Sequence, residues 1–213
     1  MKIVEIFRSI QGESTYAGLP CTFIRTAGCS LRCAYCDTDY ALSEDSGQAI
    51  SIESILKKVQ ELEVNLVEIT GGEPLEQPET PELCRKIIQL GYTVLLETNG
   101  SRPIETLPAA VIKIMDIKTP SSLMSDHNLW SNLERLSQCD EIKFVIGTHR
   151  DFYWSVDVCR KHDLFGKHTI LFSPLFDKIR PPDLAQWILQ DKIPVRMQLQ
   201  LHKYIWSPTQ RGV

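Results

Sequence analysis

Three cysteines, Cys29, Cys33 and Cys36, share one short segment with the spacing CxxxCxxC. Thiolates at this spacing can bind iron or zinc, and both kinds of site usually have four ligands. A structural zinc site would need a fourth Cys or His near by, but the other cysteines are isolated and no two histidines have finger spacing. The incomplete shell favours a site with a vacant corner, and soft thiolates also suit an iron–sulfur cluster. These residues alone leave open zinc, an electron-transfer cluster and a catalytic cluster.

A second motif, Gly71-Gly72-Glu73-Pro74, follows an apolar run at 66–70. Two adjacent glycines let backbone groups approach a polar ligand closely, and Glu73 could accept a hydrogen bond from an amine. Taken alone, Gly-Gly before Pro is more often an ordinary turn. Its position after the three-cysteine segment favours a functional loop.

Strands and helices alternate along most of the chain. Short β-branched runs predict strands at 21–26, 66–70, 93–97, 112–117, 141–146, 168–172 and 195–201. One-sided apolar spacing predicts helices after the N-cap Ser51, from the cap Thr80 to Gly91, and at 126–138, 149–163 and 181–191. This alternation predicts an α/β fold with a mainly parallel sheet. Because there are only six or seven units, we expect a partial (β/α) barrel rather than the closed barrel of eight.

Length and composition limit the remaining choices. The 213 residues are 43% hydrophobic, which suits a single domain over 1–213. The formal net charge is −4 and the Lys and Arg residues are scattered, so we expect no nucleic-acid partner. The N-terminal run carries charges, which predicts no signal peptide and no membrane partner. Seven cysteines, an odd number, suit reduced thiols and a cytoplasmic location.

The cysteine spacing, the aromatic Tyr35 before the last cysteine and the later Gly-Gly-Glu-Pro loop together resemble the radical S-adenosylmethionine enzymes. That resemblance implies a [4Fe–4S] cluster bound by Cys29, Cys33 and Cys36, with S-adenosylmethionine chelating the fourth iron. It also implies a modified radical S-adenosylmethionine core, which agrees with the partial barrel. The vacant corner of the cysteine shell would then be a cofactor site.

Further segments resemble one group within that superfamily: 7–14, 23–25 and Cys36-Asp37-Thr38. The group contracts the ring of 6-carboxy-5,6,7,8-tetrahydropterin, with loss of ammonia, to a deazaguanine acid of queuosine biosynthesis. The resemblance implies that a radical formed from S-adenosylmethionine removes hydrogen from C6 of the pterin. It also implies a homodimer, a flavodoxin-like electron donor and Mg²⁺.

The resemblance assigns roles to residues of this chain. The residues implied for the pterin are Ile10, Gln11, Gly12, Arg25, Thr70 and His202. The residues implied for S-adenosylmethionine are Tyr35, Cys36, Asp37, Gly72, Asp116, Ile117, Lys118, Ser173, Pro174, Leu175 and Phe176. Thr38 is implied as the Mg²⁺ ligand, and Arg25 would pair with the substrate carboxylate because its planar fork of donors matches one.

Plainer interpretations exist for several of these residues. Arg25 could be a surface ion-pair partner, Asp116 and Lys118 a structural salt bridge, and Thr38 a turn residue. For the whole chain, one alternative is a glycyl-radical activase, which would act on a polypeptide. Another is a non-catalytic iron–sulfur or zinc protein, which would bind no S-adenosylmethionine.

Overall fold

The computed structural model describes residues 1–213, which form one sheet of nine strands in the order β3-β1-β2-β4-β5-β6-β7-β8-β9. The strands are β1 (Lys2–Ile10), β2 (Pro20–Thr26), β3 (Gln48–Ala49), β4 (Leu66–Gly71), β5 (Thr93–Thr98), β6 (Ile112–Ile117), β7 (Glu141–Ile146), β8 (Thr169–Pro174) and β9 (Arg196–Met197). β2 and the strands β4 to β9 pair in parallel with their neighbours. β1 lies between β2 and β3 and pairs antiparallel with both. The sheet is open between β3 and β9, as a partial barrel requires.

Five helices accompany the sheet: α1 (Ile52–Leu62), α2 (Thr80–Gln89), α3 (His149–Lys161), α4 (Pro181–Asp191) and α5 (His202–Ile205). The Ser51 side chain accepts from the Ser54 N–H, which confirms the predicted N-cap of α1. Gly91 has a φ of +88° just after α2, as expected for the residue that ends a helix. No helix combines the length and the apolar composition needed to cross a membrane.

Side chains alternate between the two faces of the parallel strands. Val67 and Ile69 of β4 pack with α1 and α2 in one apolar core of 12 buried residues. Ile142 and Phe144 of β7 pack with α3 and α4 in a second core of 15 buried residues. The side chains between these positions therefore face the interior of the partial barrel.

The predicted helix at 126–138 is wrong, because this segment forms 3₁₀ turns at Ser125–His127 and Trp130–Arg135. Asn128 bonds both backbone groups of Lys118, and the Asn132 amide donates to the carbonyl of Gly100. Asn side chains that bond backbone in this way compete with a helix. The two asparagines thus fix the loops that follow β5 and β6.

Two other boundaries also differ from the prediction. The predicted strand at 195–201 is only two residues long, because Leu201 leaves the sheet and its N–H donates to the Gly12 carbonyl. Thr80 is the first residue of α2 and not its cap, since Glu79 holds that place and the Thr80 hydroxyl donates to the Pro74 carbonyl. β1 and β3, on the antiparallel side, were not predicted as strands.

Candidate active site

A cavity of about 240 Å³ lies inside the partial barrel, at the carboxyl ends of the parallel strands. One wall of the cavity is the loop that carries Cys29, Cys33 and Cys36, called the cysteine loop below. The other walls come from the end of β1, the loops after β2, β4, β5 and β6, and the segment around α5. Carboxyl ends of parallel strands are where α/β folds collect binding and catalytic groups. The cavity is therefore the candidate active site.

The cysteine loop is fixed by backbone hydrogen bonds at both ends. The N–H groups of Gly28 and Cys29 donate to the carbonyls of Ala41 and Leu42, and the Ala34 N–H donates to the carbonyl of Ser122. All three thiols are free and partly buried, and they line the cavity. Burial raises the pKa of Cys29 to about 11 and also raises the pKa values of Cys33 and Cys36. A bound cationic metal would favour the thiolate form of all three cysteines.

The donor atoms of the three cysteines are free thiol sulfurs. No three His, Cys, Asp or Glu side chains stand close enough together to ligate one metal ion. The donor set, three partly buried soft sulfurs, therefore fits an iron–sulfur cluster.

The family resemblance implies six residues for binding of the pterin, and all six line the cavity: Ile10, Gln11, Gly12, Arg25, Thr70 and His202. Most of the set implied for S-adenosylmethionine lies there too, namely Tyr35, Cys36, Asp37, Gly72, Asp116, Lys118 and Leu175. Thr38 also lines the cavity, and its hydroxyl donates to Asp37.

Four implied cofactor residues stand apart from this cavity. Ile117 belongs to the second apolar core, and Ser173 and Pro174 are buried in β8. Phe176 lines a neighbouring cavity of about 290 Å³. These four residues do not line the main cavity, although the buried Ser173 hydroxyl has no hydrogen-bond partner in the protein.

The guanidinium of Arg25 has hydrogen-bond donors that no protein group uses. Its Nε donates to Glu5 at 2.7 Å, and the Tyr40 hydroxyl donates to the same Glu5 oxygen at 3.0 Å. The terminal nitrogens of the Arg25 guanidinium have no protein acceptor within hydrogen-bond distance. The ion pair anticipated as an alternative is thus present, and it leaves one edge of the guanidinium free for a carboxylate.

The Asp116–Lys118 pair leaves one acceptor unused. Lys118 Nζ donates to Asp116 Oδ2 at 3.0 Å, whereas Asp116 Oδ1 is buried and has no partner. A buried carboxylate oxygen without a donor is costly unless a ligand supplies one. Because Asp116 lines the cavity beside the cysteine loop, this orphan oxygen fits a hydroxyl or amino group of S-adenosylmethionine.

The Gly-Gly-Glu-Pro loop acts through its backbone rather than through Glu73. The Glu73 carboxylate accepts from the Leu75 N–H, the Thr98 hydroxyl and the Asn99 N–H, and it is fully buried. Burial raises its pKa to about 7. Glu73 therefore joins the loops after β4 and β5 and is not available to accept a ligand amine.

The most charged part of the cavity centres on Lys143, which the sequence reasoning missed. Lys143 Nζ donates to Glu13 at 2.9 Å and to Glu97, and it lies 3.7 Å from Asp116. Although burial opposes its charge, these carboxylates raise the pKa of Lys143. The ammonium therefore stays charged and holds three acidic groups around the cavity: Glu13 just after β1, Glu97 in β5 and Asp116 in β6.

Glu68 is the buried acid of the same group. Burial raises the pKa of Glu68 well above its usual range, and the nearby carboxylates of Glu97 and Glu13 add to the shift. The amide of Gln11 donates to its carboxyl group. A charged residue inside an otherwise apolar strand, as in LVEIT and EIKFVI, was the available signal for Glu68 and Lys143.

The fold and this site define a class: a partial barrel whose cysteine loop borders a cavity at the strand ends is a radical S-adenosylmethionine enzyme. The family model of the Radical SAM superfamily matches residues 23–117. The chain is 45% identical to 7-carboxy-7-deazaguanine synthase of Chlorobaculum tepidum. The alignment covers all of this chain and 97% of that enzyme. The chain is 42% identical to the same enzyme of Koribacter versatilis, with both chains covered completely.

Solved structures agree on the fold. The chain superposes on Escherichia coli QueE with a TM-score of 0.80 at 24% identity, covering 94% of each chain. Streptococcus suis SuiB bound to its precursor peptide SuiA gives a TM-score of 0.57 at 14% identity, with 83% of this chain and 47% of that chain covered. On the evidence of its full-length relatives, the chain belongs to the 7-carboxy-7-deazaguanine synthase family.

Proposed function

We propose that this chain converts 6-carboxy-5,6,7,8-tetrahydropterin to 7-carboxy-7-deazaguanine with loss of ammonia, as a carbon–nitrogen lyase of queuosine and deazapurine biosynthesis. One observation carries the proposal: a single cavity brings the three cysteines together with Arg25 and Gln11. The full-length identity to named synthases supports it. A glycyl-radical activase or a non-catalytic metal protein gains no support from these relatives.

The cofactors follow from the superfamily and from the donor groups present. Cys29, Cys33 and Cys36 would hold a [4Fe–4S] cluster, and Asp116 would receive a polar group of S-adenosylmethionine. With one electron from an external donor, the bound cofactors would supply a radical that can remove a hydrogen atom from a substrate. Mg²⁺ would bind the Thr38 hydroxyl, because this ion takes oxygen ligands and is often bound by few protein groups plus substrate oxygens.

The residues of the chain would bind and orient the pterin. The free edge of Arg25 would donate two hydrogen bonds to the substrate carboxylate. Gln11, Thr70 and His202 line the same cavity and offer hydrogen-bonding groups for the polar edges of the ring. The buried lysine at 143 keeps the neighbouring carboxylates in place before the substrate arrives, which lowers the ordering cost of binding.

The wider setting is also proposed. Residues 1–213 would form a single radical S-adenosylmethionine domain, and two copies would form a homodimer in the cytoplasm. A flavodoxin-like protein would supply the electron. Family resemblance supports the dimer and the donor, and the continuous sheet of nine strands supports the single domain.

Reconstitution tests the proposed function. The full chain, loaded anaerobically with iron and sulfide, is incubated with reductant, Mg²⁺, S-adenosylmethionine and the carboxypterin, and the products are analysed by mass spectrometry. We expect 7-carboxy-7-deazaguanine, and we expect Cys33→Ala to lose both the cluster and the product. Cys159→Ala is the matched control, because Cys159 is buried in the second core, away from the cavity. Intact cluster and cofactor cleavage without this product would contradict the substrate assignment.

A further inference from the structure

Asn99 makes a contact with the cysteine loop that the proposed function does not use. It lies directly after β5, is 8% exposed, and its side-chain Nδ2 donates to Sγ of Cys29 at 3.6 Å. Cys33 and Cys36 receive no such side-chain donor. One of the three sulfurs therefore differs from the others in its hydrogen bonding.

The network around Asn99 fixes which end of its amide faces the sulfur. Asn99 Oδ1 accepts from the Ser101 N–H at 2.9 Å, and the Asn99 backbone N–H donates to Glu73 at 2.7 Å. Amide O and N are assigned from such partners. Because Ser101 offers only a donor, the oxygen faces Ser101 and the NH₂ group faces Cys29.

We propose that Asn99 raises the reduction potential of the cluster by donating a hydrogen bond to the Cys29 thiolate. The inference rests on the proposed function, in which Cys29 is a cluster ligand. Reduction adds negative charge to the cluster and its sulfurs. An N–H dipole directed at a ligand sulfur therefore stabilises the reduced form more than the oxidised form. Asn99 thereby makes the electron easier to deliver.

Two variants and one control separate the hydrogen bond from structure and charge. Asn99→Ala removes the donor without adding charge. Asn99→Asp also removes it, but keeps the size of the side chain and the oxygen that accepts from Ser101. Arg102→Gln is the control for charge: it makes the same loop more negative by one unit, as Asn99→Asp does, and leaves the Asn99 contact intact. The Arg102 side chain is exposed and bonds only Glu76, at 3.2 Å.

The measurement is an anaerobic redox titration of the reconstituted full chain, followed by electron paramagnetic resonance, with iron content determined for each variant. At a fixed ambient potential, we expect the ratio of reduced to oxidised cluster to fall about tenfold in both Asn99 variants. For a one-electron couple this corresponds to a midpoint about 59 mV more negative. Arg102→Gln should stay close to the wild type.

Three results would overturn the proposal. An unchanged midpoint in Asn99→Ala would show that the hydrogen bond does not tune the cluster. A shift in Arg102→Gln as large as that in Asn99→Asp would assign the effect to charge. Loss of iron from both Asn99 variants would make the residue a support of the loop only. Failure of the wild-type chain to take up a cluster would instead contradict the proposed function.

Discussion

Arg25 and Lys143 are cations of the same cavity, and they differ in what they have left to bind. Lys143 is surrounded by carboxylates of its own chain, at 2.9 Å from Glu13 and 3.7 Å from Asp116. Arg25 uses one nitrogen for Glu5 and keeps the other edge of its guanidinium free. We therefore propose Arg25 as the cation for an incoming anion, whereas Lys143 is paired with carboxylates of its own chain.

Arg25→Gln tests the first of these roles. Charge-assisted hydrogen bonds contribute about 1.5–3 kcal/mol, so we expect KM for the carboxypterin to rise about tenfold to a hundredfold. Slow cleavage of S-adenosylmethionine in the absence of substrate should not change, because Arg25 is not assigned to that cofactor. Arg8→Gln, on the neighbouring strand and outside the cavity, is the control. An unchanged KM in Arg25→Gln would remove Arg25 from the carboxylate site.

The burial of His202 should make the stability of the folded state depend on pH. Burial lowers the pKa of His202, and the neighbouring ammonium of Lys203 adds to the shift. As the pH falls below about 6.5, the unfolded chain takes up this proton first, so the folded state loses stability. We expect urea unfolding to show less loss of stability between pH 7.5 and pH 5.5 in His202→Gln than in the wild type. An equal loss in both proteins would contradict the lowered pKa.

At the scale of elements, the glycine loop after β4 packs directly on the cysteine loop. The Gly72 N–H donates to the Thr26 carbonyl and the Glu73 N–H to the Gly28 carbonyl, one residue before Cys29. A Cβ at position 72 would overlap the carbonyl oxygen of Gly28. Only glycine allows the two loops to approach this closely.

Gly72→Ala should therefore separate the two loops. We expect reconstituted Gly72→Ala to hold less iron than the wild type and to bind S-adenosylmethionine more weakly, as measured by iron analysis and equilibrium dialysis. Gly18→Ala is the control: its φ is +95°, and nothing lies within 4 Å of the added Cβ. That control should cost about 1 kcal/mol of stability and leave the cluster intact. Full iron content in Gly72→Ala would contradict the packing argument.

Sequence patterns predicted the elements that are regular and missed those that depend on distant partners. Apolar runs located β4 to β8 because buried parallel strands are almost wholly apolar, and α4 begins and ends where its pattern predicted. The segment 126–138 has helical spacing, yet Asn128 and Asn132 bond loops that are remote in sequence. Such long-range hydrogen bonds leave no periodic signal.

The site was predictable to a similar degree. Motifs and family resemblance located Cys29, Gln11 and Arg25, which the cavity brings together. Lys143 and Glu68 were missed because each looks like a single charge in a strand. Their meaning depends on pairing across the sheet, such as the register that places Asp116 opposite Lys143.

At the scale of the whole molecule, one sheet joins the two larger apolar cores, and a third, smaller cluster of five buried residues lies beside them. One core packs α1 and α2 against β2, β4 and β5, and the other packs α3 and α4 against β6 to β8. β5, which packs on the first core, pairs in parallel with β6, which packs on the second. Backbone hydrogen bonds of the sheet therefore connect the two halves of the molecule. The two halves should unfold together.

Calorimetry of the chain without its cofactors tests this expectation. We expect one thermal transition in which the calorimetric and van't Hoff enthalpies agree, as for a single cooperative domain. Two resolved transitions, or a van't Hoff enthalpy well below the calorimetric one, would show that the two cores unfold separately. The proposal of a single domain over 1–213 would then be wrong.

We propose that the cavity places the pterin where a radical from S-adenosylmethionine can reach its C6 hydrogen. The most direct test uses 6-carboxy-5,6,7,8-tetrahydropterin with deuterium at C6 and the reconstituted full chain, with mass spectrometry of the nucleoside products. We expect deuterium to move from the pterin into 5′-deoxyadenosine or S-adenosylmethionine as 7-carboxy-7-deazaguanine forms. Product formation with no deuterium in either nucleoside would contradict it.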